Sequence, residues 1–87
     1  MADTRDEKPN PISCGRRLVG GNIRRLRLER DMSQEDLAFE AGINRAYLST
    51  VENGKRNISI DNIIAVANAL TVDPRELLRP LDQASKG

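Results

Sequence analysis

Apolar residues recur along this chain in short blocks, each at helical spacing. Val19, Ile23 and Leu26 are placed to share one helix face. Leu37, Ala38 and Ala41 recur at i, i+1 and i+4 and predict a second helix with one apolar side. Leu48 and Val51 give a third segment a narrow inner face. Ile60, Ile63, Ile64, Ala67 and Leu70 form the apolar stripe of a fourth helix, and Leu77 with Leu78 marks a short fifth one that stops at Pro80. No segment alternates with period two, so no sheet is predicted, and there are no internal repeats.

The polar residues between the blocks punctuate them. Ser33 stands where an N-cap hydroxyl accepts an orphan amide of the first turn, and Gln34, Glu35 and Asp36 follow it. Gly42 stands where a helix ends in a left-handed residue, a conformation open to a residue without a Cβ. Ile43 plugs the turn, and Asn44 restarts a helix as its N-cap. Asn53-Gly54 ends that helix. Ser59 caps the fourth, and Asp73-Pro74 pairs an N-cap with proline at the first helical position. Gly20-Gly21 falls near the expected start of the first helix. Two helices of about eight to ten residues joined by a tight turn fit the helix-turn-helix unit, whose second helix lies in the major groove of DNA. Residues 44–53 are the predicted recognition helix.

The first 15 residues are polar, carry Pro9 and Pro11 and show no periodicity, so residues 1–15 read as a flexible tail. Residues 16–81 form one predicted domain, and residues 82–87 a C-terminal tail. A chain of 87 residues suffices for one core. No apolar run approaches the roughly 20 residues needed to span a bilayer, and no signal-peptide pattern opens the chain. With Cys14 as the single cysteine, no internal disulfide can form. A cytoplasmic protein with no membrane contact is expected.

The net charge of +1 hides an asymmetry. Between Arg16 and Arg30 stand six arginines (Arg16, Arg17, Arg24, Arg25, Arg27 and Arg30) against Glu29 alone. From Asp31 to Glu40 there are four acids and no base, and Lys55 and Arg56 follow the recognition helix. That pattern suits a molecule with a DNA face and a different second face, although solvated helix surfaces produce the same charges. Enzyme chemistry is poorly served. There is no histidine for a Cys-His or Ser-His pair. One cysteine without histidine makes no zinc site, so no metal and no cofactor are expected. Gly20-Gly21 lacks the lysine and spacing of a phosphate-binding loop.

The run from Asn22 to Leu70, NIRRLRLERDMSQEDLAFEAGINRAYLSTVENGKRNISIDNIIAVANAL, resembles the phage repressor and Cro (XRE) type of helix-turn-helix domain. Arg27, Ser33-Gln34, Leu37-Ala38, Ala41-Gly42, Glu52-Asn53-Gly54 and Ala67 with Leu70 carry the resemblance, which covers about Val19 to Leu78. Ile58 and Thr71 depart from it, standing where many members have proline and glycine. The KRNISI form looks like a subset that includes controller proteins of restriction-modification systems.

The resemblance implies an all-α, five-helix repressor-like bundle with a central helix-turn-helix, binding double-stranded DNA at a palindromic operator as a homodimer and controlling transcription. It implies that Arg45, Ala46 and Thr50 face the groove; Ser49 and Tyr47 are candidates for secondary contacts, with Tyr47 alternatively lying against the protein surface. Spacing agrees, since positions 46 and 50 are one turn apart and Arg45 is at the helix start. Arginine can bond guanine O6 and N7 together, and the methyls of Ala46 and Thr50 can meet a thymine methyl. Gln34 is implied at the DNA backbone, and Ser33, Lys55 and Arg56 are candidates there too. Asn44 is either the helix cap or a further backbone contact. Arg27 and Glu52 are implied to form a structural ion pair. Leu77, Leu78 and Leu81, with Ala65, Val66 and Ala69, are expected at the dimer interface, although leucines there can also close the core. The acidic edge of Glu35, Asp36 and Glu40 resembles one with which related repressors touch RNA polymerase. Acids also suit a helix N-terminus. A reading from another class is an antitoxin-like or bridging protein-interaction module built on the same bundle.

Overall fold

A computed structural model describes residues 11–80. Four α-helices follow one another: α1 (Pro11–Glu29), α2 (Gln34–Ala41), α3 (Arg45–Glu52) and α4 (Ile60–Leu70). A single 3-10 turn, Pro74–Leu78, closes the described chain. No strand occurs among the described residues.

The expected fifth helix is therefore a 3-10 turn, and the described residues hold four α-helices. Asp73 caps the turn and Pro74 begins it, as the sequence suggested. Pro80 arrives too soon for α-helix to develop. Arg79, the residue before it, is already extended at φ −71° and ψ 135°, as steric contact with the proline ring requires. Hydrogen bonds from Arg75 hold the Asp73 carboxyl below the usual carboxylate range.

At the other end, α1 begins at Pro11, inside the stretch read as a tail up to Gly15. Gly20 and Gly21 then lie in mid-helix. Glycine there costs about 1 kcal/mol relative to alanine, and the sequence offers no propensity reason for it. Packing supplies one. A Cβ on Gly20 would collide with the carbonyl oxygens of Val51 and Glu52, so the bare backbone lets α1 run directly against the end of α3.

Each element contributes to one aliphatic core: Val19, Ile23 and Leu26 from α1, Leu37 and Ala38 from α2, Leu48 and Val51 from α3, Ile63, Val66, Ala67 and Leu70 from α4, and Leu77 from the 3-10 turn. Burying each larger side chain contributes about 1.5–3 kcal/mol. The stripe of α4 is rotated from the expected one. Ile60 and Ile64, one turn apart on its flank, are exposed, at 70% and 41%, and Val66 takes their place inside. Asn22 is wholly buried and clamps the turn to α1. Its Nδ2 donates to the carbonyls of Leu77 (3.0 Å) and Arg79 (2.8 Å), and its Oδ1 accepts from Arg25 (3.1 Å). Arg30 closes the end of α4 by donating from Nε to the Leu70 carbonyl at 2.8 Å.

Candidate nucleic-acid interface

The helix-turn-helix is α2 and α3. Ser33 forms a reciprocal cap on α2: its Oγ accepts from the Asp36 amide at 2.9 Å, and its own amide donates to Asp36 Oδ2 at 3.1 Å. Gly42 ends α2 at φ 72°, ψ 32°. The Ile43 amide then donates back to the Ala38 carbonyl at 2.9 Å, which satisfies a helix-end acceptor. Asn44 caps α3, its Oδ1 accepting from the Tyr47 amide at 3.1 Å.

A buried network fixes these two helices against α1. Arg27 donates from Nε to Glu52 Oε2 at 2.7 Å and from a terminal nitrogen to Oε1 at 2.9 Å. Its other terminal nitrogen reaches the Met32 carbonyl at 2.9 Å. Gln34 Nε2 donates to Glu52 Oε1 at 3.0 Å. Arg27 and Glu52 are both buried, so desolvation offsets much of their Coulomb attraction. What the network supplies is position, since one carboxylate collects α1, the start of α2 and the end of α3.

The candidate reading residues fall into two groups. Arg45 and Ala46 are exposed at the start of α3. Ser49 and Thr50 are half-buried, and the Thr50 hydroxyl donates to the Tyr47 carbonyl at 2.7 Å, leaving its methyl and lone pairs for contacts. Among the candidate backbone contacts, Ser33 and Asn44 both use a side-chain oxygen as a cap, yet Ser33 keeps its hydroxyl proton and Asn44 its amide protons as donors. Gln34 is half-buried and already engaged by Glu52. Lys55 and Arg56 are exposed in the loop after α3. The Arg56 guanidinium lies 5.5 Å from the centroid of the Tyr47 ring, within cation–π range.

Tyr47 lies against the protein: its hydroxyl donates to the Asn57 carbonyl at 3.4 Å and accepts from Asn62 Nδ2 at 3.2 Å. It thereby ties α3, the following loop and α4 together. The run of arginines in and just after α1 has divided duties. Arg27 serves the buried pair, Arg30 the end of α4, and Arg25 pairs with Glu29 at 3.2 Å.

The leucines expected at a dimer interface separate. Leu77 is 0% exposed and belongs to the core, as does Val66, so neither can present a side chain to a second copy. Leu78 is 54% exposed and lines an apolar hollow with Ile58 and Ile63. Ala65 and Ala69 are half-buried, and Leu81 lies outside the described residues. Pattern reading missed Ile60 and Ile64 as exposed apolar groups. It also missed Phe39, which is 83% exposed on α2 among the exposed acids Glu35, Asp36 and Glu40. Helical phase could have found Phe39, because it lies opposite Leu37, Ala38 and Ala41.

Residues 23–77 match the HTH_3 helix-turn-helix family model. The chain is 48% identical over 64 residues to the control protein C.BamHI of Bacillus amyloliquefaciens, covering 72% of this chain and 79% of that one. The fold is similar to the crystal structure of the restriction-modification controller protein C.AhdI from Aeromonas hydrophila, with a TM-score of 0.70, 45% identity and coverage of 71% and 94%. It is also similar to a hypothetical transcription factor from Neisseria, with a TM-score of 0.75, 38% identity and coverage of 82% of each chain. The chain belongs to the HTH_3, or XRE-type, helix-turn-helix family.

Proposed function

We propose that this chain is a sequence-specific DNA-binding transcriptional regulator. It acts in the cytoplasm without catalysis or a cofactor, and binds a palindromic operator as a homodimer with α3 in the major groove. One observation carries the reading. The outward side of α3 begins with Arg45 and Ala46, while its only carboxylate, Glu52, is buried and held by Arg27 and Gln34. A polyanion can therefore approach this helix without meeting a free negative charge. Arg45 reads a guanine, Ala46, Ser49 and Thr50 meet neighbouring base edges, and Ser33, Gln34, Asn44, Lys55 and Arg56 hold phosphates. The likeness to control and controller proteins supports regulation of restriction-modification genes as the setting.

Two recognition helices about 34 Å apart on one DNA face supply enough sequence for a specific site. Ile60, Ile64 and Leu78 are the exposed apolar groups best suited to join two copies. Enrichment of duplexes from a random-sequence pool tests the whole reading, and a two-fold symmetric sequence with guanine in each half is the expected product. Failure to enrich any sequence overturns it. Sedimentation at micromolar concentration that shows only monomer, with and without DNA, overturns the dimer.

The acidic side of α2 is the surface proposed for RNA polymerase. Phe39 gives it an apolar centre among Glu35, Asp36 and Glu40, which favours a protein over DNA as its partner. Reversing charge at Glu35 should lower activation while operator affinity holds; unchanged activation removes α2 from that role. The same surface would serve a bridging or antitoxin-like module.

A further inference from the structure

The end of α3 rests on α1 more intimately than core packing requires. Gly20 comes against the Val51 and Glu52 carbonyls. One turn earlier, Arg17 lies beneath Gly54. A Cβ on Gly54 would come within 2.8 Å of Arg17 Cγ, 3.4 Å of its Cα and 3.6 Å of its Cβ. Gly54 also adopts φ 74°, in the left-handed region. Its backbone therefore sits on the stem of Arg17, which is exposed. The two residues after Gly54 are Lys55 and Arg56, also exposed. The exposed residues Arg17 and Lys55 thus stand on either side of Gly54, where α3 has ended, while the Arg56 guanidinium lies over the Tyr47 ring. The carboxylate nearest to them in sequence, Glu52, is turned inward and bonded to Arg27 and Gln34. A helix C-terminus carries partial negative charge, so an anion is admitted there only where cations outweigh it.

We propose that Arg17 is a further phosphate-binding residue, seated by Gly54 next to the loop that carries Lys55, so that Arg17 and Lys55 grip the sugar-phosphate backbone flanking each half-site. The proposal rests on the DNA-binding reading and adds α1 to the DNA surface. Arg17 meets phosphate without reading a base, because it is carried outside the helix that enters the groove. Gly54 contributes by having no side chain between the loop and the arginine stem.

The test uses the duplex that the wild-type protein enriches from a random pool, titrated from about 50 to about 200 mM salt. Arg17→Gln should make the slope of log affinity against log salt shallower by about one unit, so that this fourfold rise in salt weakens binding about 3.5-fold less than in wild type. Preference among single-base variants of the duplex should stay as it was. Arg17→Lys keeps the charge and should keep the slope. Arg75→Gln removes the same charge from the 3-10 turn, where Arg75 pairs with Asp73, and should also leave the slope unchanged. An unchanged slope for Arg17→Gln, or an equal change for Arg75→Gln, overturns the proposal. Failure of the DNA-binding reading looks different: no duplex is enriched, and Arg45→Ala has no effect on any binding.

Discussion

The two helices of the helix-turn-helix are built alike and face outward differently. Each has eight residues and a side-chain N-cap, Ser33 on α2 and Asn44 on α3. Each turns a narrow apolar face to the core. On α2 the opposite side carries Glu35, Asp36, Phe39 and Glu40; on α3 it begins with Arg45 and Ala46. The difference does not lie in the count of acids alone, because α3 also has one. It lies in what burial does with that acid. Glu52 is drawn under the helix by Arg27, so α3 faces outward without negative charge, whereas the carboxylates of α2 stay in solvent. Backbone architecture makes two equivalent helices, and one buried pair leaves only α3 without an exposed carboxylate.

Breaking that pair should give the largest effect. Glu52→Ala leaves the Arg27 guanidinium buried without its carboxylate and removes the acceptor of Gln34, and such losses cost about 3–5 kcal/mol. Urea unfolding measures it. The double variant Arg27→Met, Glu52→Leu should recover most of that loss, since apolar groups of similar volume often replace a buried pair at little cost. A single variant within about 0.5 kcal/mol of wild type, typical of an exposed substitution, would show that the pair does not organise the motif.

Next in size is the distinction between reading and holding on α3 and its loop. Arg45→Ala should cost about 1–3 kcal/mol per half-site and relax preference at one base position. Lys55→Ala should weaken all sequences alike and flatten the salt dependence by about one unit. Operator variants titrated at several salt concentrations separate the two. Uniform weakening by Arg45→Ala, together with altered base preference for Lys55→Ala, would reverse the proposed docking.

What the sequence made legible follows the same division between local and tertiary causes. The caps at Ser33, Asn44, Ser59 and Asp73 and the left-handed Gly42 were readable because each depends on a few adjacent residues. The contact of Gly20 with α3 was not readable, because a glycine in a helix gives no sign of what lies against it. Asn22 looked like any polar residue until the 3-10 turn brought two carbonyls to it. The stripe of α4 was misphased for a related reason. Periodicity places Ile60 and Ile64 beside Ile63, but the neighbouring elements set how far the core reaches around the helix. The same limit separates Leu77 from Leu78. Two adjacent leucines in a short turn point in different directions, and only the position of α1 decides which is inside. Among the proposed site residues, Arg45 and Lys55 needed only their place along α3 and its loop. Arg17 needed the fold, because 37 positions separate it from Gly54. Thr71 is one of the two positions at which the chain departs from the family resemblance. It ends α4 at φ 56°, ψ 43°, where glycine would be less strained.

The smallest expected effect sharpens the comparison at the caps themselves. Ser33→Ala and Asn44→Ala should each destabilise the fold by about 1 kcal/mol, since each removes one acceptor from an orphan helix amide. Aspartate keeps that acceptor, so Ser33→Asp and Asn44→Asp should both stay within about 0.5 kcal/mol of wild type in thermal or urea unfolding. DNA then distinguishes them. Asn44 stands at the start of α3 beside Arg45, and a carboxylate there puts negative charge on the helix proposed to enter the groove. Ser33 opens α2, which is proposed to meet a phosphate without entering the groove, so a carboxylate there disturbs one backbone contact and no base contact. Asn44→Asp should therefore weaken operator binding much more than Ser33→Asp, although the two are equally folded. Equal loss of affinity would mean that α2 and α3 approach DNA equally closely at their N-termini. Retained affinity for Asn44→Asp would mean that the start of α3 lies away from the phosphates and the groove, and that Asn44 serves only as a cap.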